Sequence, residues 1–129
     1  MVTFGDPQVI LFSADVERAA AFYRAFGFAE RFRTPALGAP IHVDLELDGM
    51  RFGIASIAST RDDHGLAPVD HGQRAAVILW CDDVDAALAE TEARGIPTLA
   101  APEPWLTDLR IAWIADPDGH PVQLVQRTG

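Results

Sequence analysis

Residues 9 to 27, VILFSADVERAAAFYRAFG, align without a gap on residues 77 to 95, VILWCDDVDAALAETEARG. Nine of the nineteen positions are identical: Val, Ile, Leu, Asp, Val, three Ala and Gly. A self-match of this kind marks a duplicated structural unit. In each copy an apolar run ends at Asp15 or Asp83, an acid that caps a helix by accepting a backbone N–H. Ala-rich spacing follows, with Val16, Ala19, Ala20 and Tyr23 on one face of the first helix and Val84, Ala87 and Leu88 on one face of the second. Each copy stops at Gly27 or Gly95, where a left-handed residue costs glycine little. Both copies therefore read strand, sharp entry, helix, stop.

The match continues with an offset two residues larger. Asp48-Gly49 corresponds to Asp118-Gly119, a dipeptide suited to a hairpin turn. Strand-like runs flank both turns, IHVDLEL (41 to 47) and MRFGIASI (50 to 57) in the first copy, RIAWIA (110 to 115) and HPVQLVQ (120 to 126) in the second. Segments 28 to 34 and 97 to 101 supply one more strand each. Residues 58 to 74, with Asp62, Asp63, Gly65, Pro68 and Gly72, read as a linker. The expected fold is α+β: two βαβββ modules, residues 1 to about 57 and about 75 to 129, forming one curved eight-stranded mixed sheet in a single domain. One sheet face packs on helices and the other curves around a ligand.

The 129 residues carry 10 basic side chains, all Arg, against 19 acidic ones, a net charge of −9. Binding to phosphate is dominated by basic side chains, so neither nucleic acid nor an anionic membrane is an expected partner. A single cysteine, Cys81, excludes an intrachain disulfide and every Cys-rich zinc pattern. No basic segment followed by an apolar one opens the chain, and no apolar run approaches ~18 residues, so a soluble, cytoplasmic protein is expected. Free sheet edges are a liability that pairing removes, and a homodimer is expected.

With the duplicated βαβββ order, the Asp-capped DVERAAAFY and the closing DPDGHPVQL, the chain resembles the vicinal oxygen chelate superfamily over essentially its whole length. That family includes glyoxalase I, extradiol dioxygenases, fosfomycin-resistance transferases and the bleomycin-resistance binding proteins. In its metal-using members one ligand, usually His, lies seven residues before the capping Asp, which here is Gln8 in the first module and Ala76 in the second. Another, usually Glu, comes four residues after the Gly of the closing turn, which here is Gly53 and Gln123. A neutral amide is a weak ligand for a divalent metal, and Ala and Gly have no donor side chain. The resemblance thus implies a metal-free member without a cofactor, closest in character to the bleomycin-resistance group.

Strand alternation from those positions puts Gln8, Ile10 and Phe12 on the cup face of the first module and Ala76, Ile78 and Trp80 on that of the second. His42, Asp44 and Glu46 share one strand face opposite Val43, Leu45 and Leu47, either an ordinary wet face or a polar wall that orients a ligand. Phe32 lines the rim before the Pro-containing loop at 34 to 40. Trp105, in the Pro-flanked loop PEPWLTD, is either a lid over the core or a stacking surface. Alternation assigns Trp113 no face, and core packing is favoured for it; Phe22, Tyr23 and Phe26 are read as core. Cys81 falls opposite Trp80 and is read as an inert thiol under the helix. His64 and His71 are read as solvated. The candidate ligand-binding residues are therefore Phe12, Phe32, His42, Asp44, Trp80 and Trp105, with no catalytic residue assigned. Two functions are carried forward: sequestration of an aromatic or cationic antibiotic or metabolite, and a metal-dependent lyase, isomerase or dioxygenase of the same superfamily.

Overall fold

The computed structural model describes residue 3, residues 7–72 and residues 75–129. Residues 1, 2 and 4–6 of the expected first module and residues 73 and 74 of the expected linker lie outside them. The chain divides into two compact units, Met1–Asp70 and His71–Gly129.

In the first unit, β1 (Val9–Ser13) leads into α1 (Val16–Arg24), followed by β2 (Ala29–Thr34), β3 (His42–Leu47), β4 (Met50–Ser56) and a second helix, α2 (Ile57–His64). The sheet order is β1-β4-β3-β2, with β1 parallel to β4 and the other pairs antiparallel. In the second unit, β5 (Val77–Trp80), α3 (Val84–Ala93), β6 (Thr98–Trp105), β7 (Leu109–Ala115) and β8 (Pro121–Arg127) repeat the plan with the order β5-β8-β7-β6. The equivalence reaches individual residues: Ile10 pairs with Gly53 in one unit and Ile78 with Gln123 in the other.

Both helices start as the sequence dictates. Asp15 accepts from the Arg18 N–H at 3.1 Å and Asp83 from the Ala86 N–H at 3.0 Å. Val16, Ala19, Ala20 and Tyr23 of α1 are buried against the sheet, as are Val84, Leu88 and Thr91 of α3. Val43, Leu45, Phe52 and Ile54 meet α1 from the sheet side. Tyr23 is fully buried, whereas Phe22 and Phe26 are only half-buried at the helix margin. The two Asp-Gly turns share a sequence but not a conformation. Asp48 and Gly49 both have positive φ, 51° and 82°, as a two-residue hairpin of primed type requires. In the second unit Asp116 Oδ1 accepts from the Asp118 and His120 N–H groups, and only Gly119 is left-handed.

Three expectations are corrected. The stretch expected as linker begins with α2, whose Ser56 cap accepts from the Ser59 N–H at 3.1 Å and whose Ile57 and Thr60 are buried. Gly65, read as a linker residue, is its left-handed terminus (φ 69°). Trp105 is not in a loop but closes β6, which runs through Pro102 and Pro104 because an edge strand tolerates missing N–H donors. Trp113 lies opposite Gln123 and so on the face turned away from α3, half-buried rather than core. No described helix is long and apolar enough to cross a membrane.

Candidate functional site

Directly opposed residues of adjacent strands project to the same side of a sheet. In the first unit this aligns Phe32, Asp44, Gly53 and Ile10 in one row, and Thr34, His42, Ala55 and Phe12 in the next. Leu11, Ser13, Val43 and Leu45 point the other way and are buried. The face away from α1 therefore gathers four of the expected residues, Phe12, Phe32, His42 and Asp44. Glu46 is on this face too, held by Arg31 at 2.7 Å.

At its centre Asp44 Oδ1 accepts from Gln8 Nε2 at 2.6 Å and meets His42 Nε2 at 2.7 Å. An ionised carboxylate only accepts, so His42 Nε2 is the donor of this bond. The cluster stands over Gly53. A Cβ there would lie 3.0 Å from Asp44 Oδ1, 3.0 Å from His42 Cε1 and 3.1 Å from Gln8 Nε2. The space into which a metal-binding Glu would project is thus filled by a hydrogen-bonded cluster centred on Asp44. With Gly53 and Ala76 donorless and the Gln8 amide engaged with Asp44, the residues do not fit the superfamily's metal. Among the described residues no three His, Cys, Asp or Glu side chains are grouped to hold one.

Beside the cluster, α2 and the sheet enclose a pocket of about 390 Å³. Phe32, Ile41 and Ala55 give it apolar walls, while His42, Ser59, Asp63 and His64 give it polar ones. Phe32 stands edge-on to His42, ring centroids 6.1 Å apart, and is 50% exposed, so its other ring surface is open to a guest. Ser59 Oγ donates to Asp63 Oδ2 at 2.9 Å. The sequence reading missed Asp63 and His64 because it left them in a solvated linker. The signal was the Ser56 cap and the Gly65 stop, which bracket a two-turn helix.

In the second unit the face turned from α3 carries Ile78, Gln123 and Trp113 in one row, Trp80, Val125, Ile111 and Glu103 in a second, and Arg127, Leu109 and Trp105 in a third. Arg110 and Gln126 confirm the sidedness. Arg110 pairs with Asp85 of α3 at 2.6 Å, and Gln126 accepts from the Val84 N–H at 2.9 Å. Trp80 and Trp105 are 56% and 51% exposed, as surfaces for a guest must be. The Arg127 guanidinium lies 4.5 Å from the Trp80 ring centroid.

Cys81 is half-buried. Burial, reinforced by the charges of Asp82 and Asp83, pushes its thiol above the ordinary range despite a backbone hydrogen bond at Asp83. Since the thiolate is the nucleophile, Cys81 should be alkylated by iodoacetamide at pH 8 severalfold more slowly than a free thiol. Equal or faster alkylation would show an activated cysteine instead.

Residues 7–124 match the family model described as the Glyoxalase/Bleomycin resistance protein/Dioxygenase superfamily. Among solved structures, hypothetical protein SA1046 from S. aureus superposes with a TM-score of 0.78 at 17% identity, covering 97% of this chain and 95% of that one. TioX from Micromonospora sp. ML1 does so with a TM-score of 0.74 at 25% identity, covering 96% and 99%. Lactoylglutathione lyase from Agrobacterium tumefaciens gives 0.70 at 21% identity, covering 95% and 92%. A comparison with curated proteins gave no match. The duplicated units, their matching strand orders and the family match over nearly the whole length lead to one conclusion: the chain belongs to the glyoxalase/bleomycin resistance protein/dioxygenase superfamily.

Proposed function

We propose that the chain is a metal-independent binding protein that sequesters a small aromatic compound, an antibiotic or a metabolite, in the pocket between Phe32 and α2. The observation that carries this reading is the filled space over Gly53: where a metal ligand would stand, Gln8 and His42 both bond to Asp44, and His42 forms a wall of the neighbouring pocket. Aromatic guests stack on Phe32, and Asp63 together with a net charge of −9 favours cationic ones. The reading puts the protein in the cytoplasm, where its lone Cys81 stays reduced.

Calorimetric titration with bleomycin-like, quinoxaline-like and mitosane-like compounds tests it. Removing the Phe32 ring forfeits part of the ~1.5–3 kcal/mol that burying such a side chain is worth, so Phe32→Ala should weaken binding roughly tenfold. Asp63→Asn should erase the preference for cations, and that preference should shrink with salt in the wild type. No heat from any compound, or an unaffected Phe32→Ala variant, would remove the proposal's support.

The alternative, a metal-dependent lyase, isomerase or dioxygenase, lacks donors at Ala76 and Gly53. The matched registers of the two units give a direct test. Ala76→His with Gln123→Glu adds an imidazole and a carboxylate on the second unit's open face, and should raise Ni²⁺ or Zn²⁺ affinity at least tenfold. No gain would mean that these positions are not the superfamily's ligand positions. The reading also includes a homodimer, since β1, β2, β5 and β6 end their sheets, and a monomer in sedimentation at micromolar concentration would refute that part.

A further inference from the structure

We infer that the exposed Trp80, Trp105 and Arg127 on the face of the second unit turned from α3 form a binding site of their own, for small planar aromatic carboxylates, with Arg127 as the anion-binding group. The expectation that aromatic residues plus net negative charge favour cations fails locally here. Trp80, the side chain best placed to bind a cation through its ring, is already covered by the chain's own guanidinium at 4.5 Å. A cationic guest would meet Arg127 as a like charge, or displace it.

The charge is also unspent. Arg24, Arg31, Arg33 and Arg110 are all ion-paired. Among the described residues Arg127 makes no salt bridge, although Glu103 shares its face and Asp108 precedes β7. A guanidinium held over an indole face can still turn its N–H edge toward the two parallel hydrogen bonds of a carboxylate.

The surroundings fit the rest of such a guest. Arg127, Leu109 and Trp105 form one row of the ladder, and Trp80 stands in the adjacent row beside Val125. Neighbouring strands are ~4.8 Å apart, so the two exposed indoles, three strands apart in the sheet, flank a span of roughly 14 Å. A bicyclic ring lies across that span on Leu109 with its carboxylate at Arg127. Gln123, on the same face, offers an amide to a further polar substituent. The long-range field of a chain at −9 opposes any anion, so selectivity for a carboxylate has to come from contact with Arg127.

Three probes of one shape test this: naphthoate, naphthylmethanol and naphthylmethylammonium, titrated into the full chain by calorimetry while the indole N–H signals are followed by NMR. All three tryptophans lie in this unit, so those signals report on it directly. Naphthoate should bind about tenfold tighter than the ammonium probe and shift the Trp80 and Trp105 signals. Arg127→Lys should keep part of that preference. Arg127→Gln should reverse it, because only the repulsive field remains. Phe32→Ala should change none of this, so a failed pocket and a failed Arg127 site are distinguishable. Equal affinity for the three probes, a naphthoate preference surviving in Arg127→Gln, or unmoved indole signals would each overturn the assignment.

Discussion

Replacing Tyr23 with alanine should destabilise the chain by about 3–5 kcal/mol, the usual cost of removing a large aromatic side chain from a core. Tyr23 has no exposed surface, and its ring makes edge-on contacts with Phe22, Phe28 and Phe52 at centroid separations of 5.0, 5.8 and 5.0 Å. Phe28 and Phe52 also meet each other edge-on at 5.1 Å, so one deletion undoes contacts between α1, β4 and the segment entering β2 together. These elements arrive from separate parts of the first unit and cannot all collapse into the space left behind. At this chain length the loss corresponds to roughly 10–20 °C in melting temperature. Phe22→Ala, at a half-buried position on the same helix, is the control and should cost distinctly less. A loss below ~1 kcal/mol for Tyr23→Ala in a denaturant titration would show that α1 is not held by this aromatic cluster.

The duplicated register was legible because it is written twice. The gapless match of residues 9–27 on 77–95 already implies that β1 and β5 are equivalent, and the wider offset of the Asp-Gly turns anticipates the pairing of Ile10 with Gly53 and Ile78 with Gln123. Alternation along HVDLEL placed His42 and Asp44 on the open face because apolar and polar residues take turns there. It gave no face for Trp113, whose neighbours Ala112 and Ile114 are apolar as well, and only pairing with Gln123 settles it. Helix α2 was hidden by Asp62 and Asp63, which mimic a loop, although just Ile57 and Thr60 need to be apolar enough to dock a two-turn helix. The contact between Arg127 and Trp80 depends on parallel register between β5 and β8, which no local pattern specifies.

Gly53→Ala should separate stability from binding. Gly53 sits within β4 and not at a turn, and its backbone is not left-handed, so no conformational need explains the absence of a side chain. Glycine inside a strand costs ~0.5–1 kcal/mol in chain entropy relative to alanine, so on backbone grounds the substitution stabilises. Against this stands crowding: the new methyl would press on Asp44 Oδ1, His42 Cε1 and Gln8 Nε2 at 3.0–3.1 Å. All three atoms belong to side chains on an open sheet face and can swing away without moving the backbone, so the two terms nearly cancel and stability should change by less than ~1 kcal/mol. The cluster cannot move without moving His42, which forms a wall of the pocket and meets Phe32 edge-on. Affinity for any guest of that pocket should therefore fall at least tenfold in a protein that melts as the wild type does, while naphthoate binding at Arg127, which depends on the second unit, stays unchanged. A Gly53→Ala protein that bound pocket ligands normally would show that the Gln8–Asp44–His42 cluster is a bystander and that the glycine was kept for some other reason.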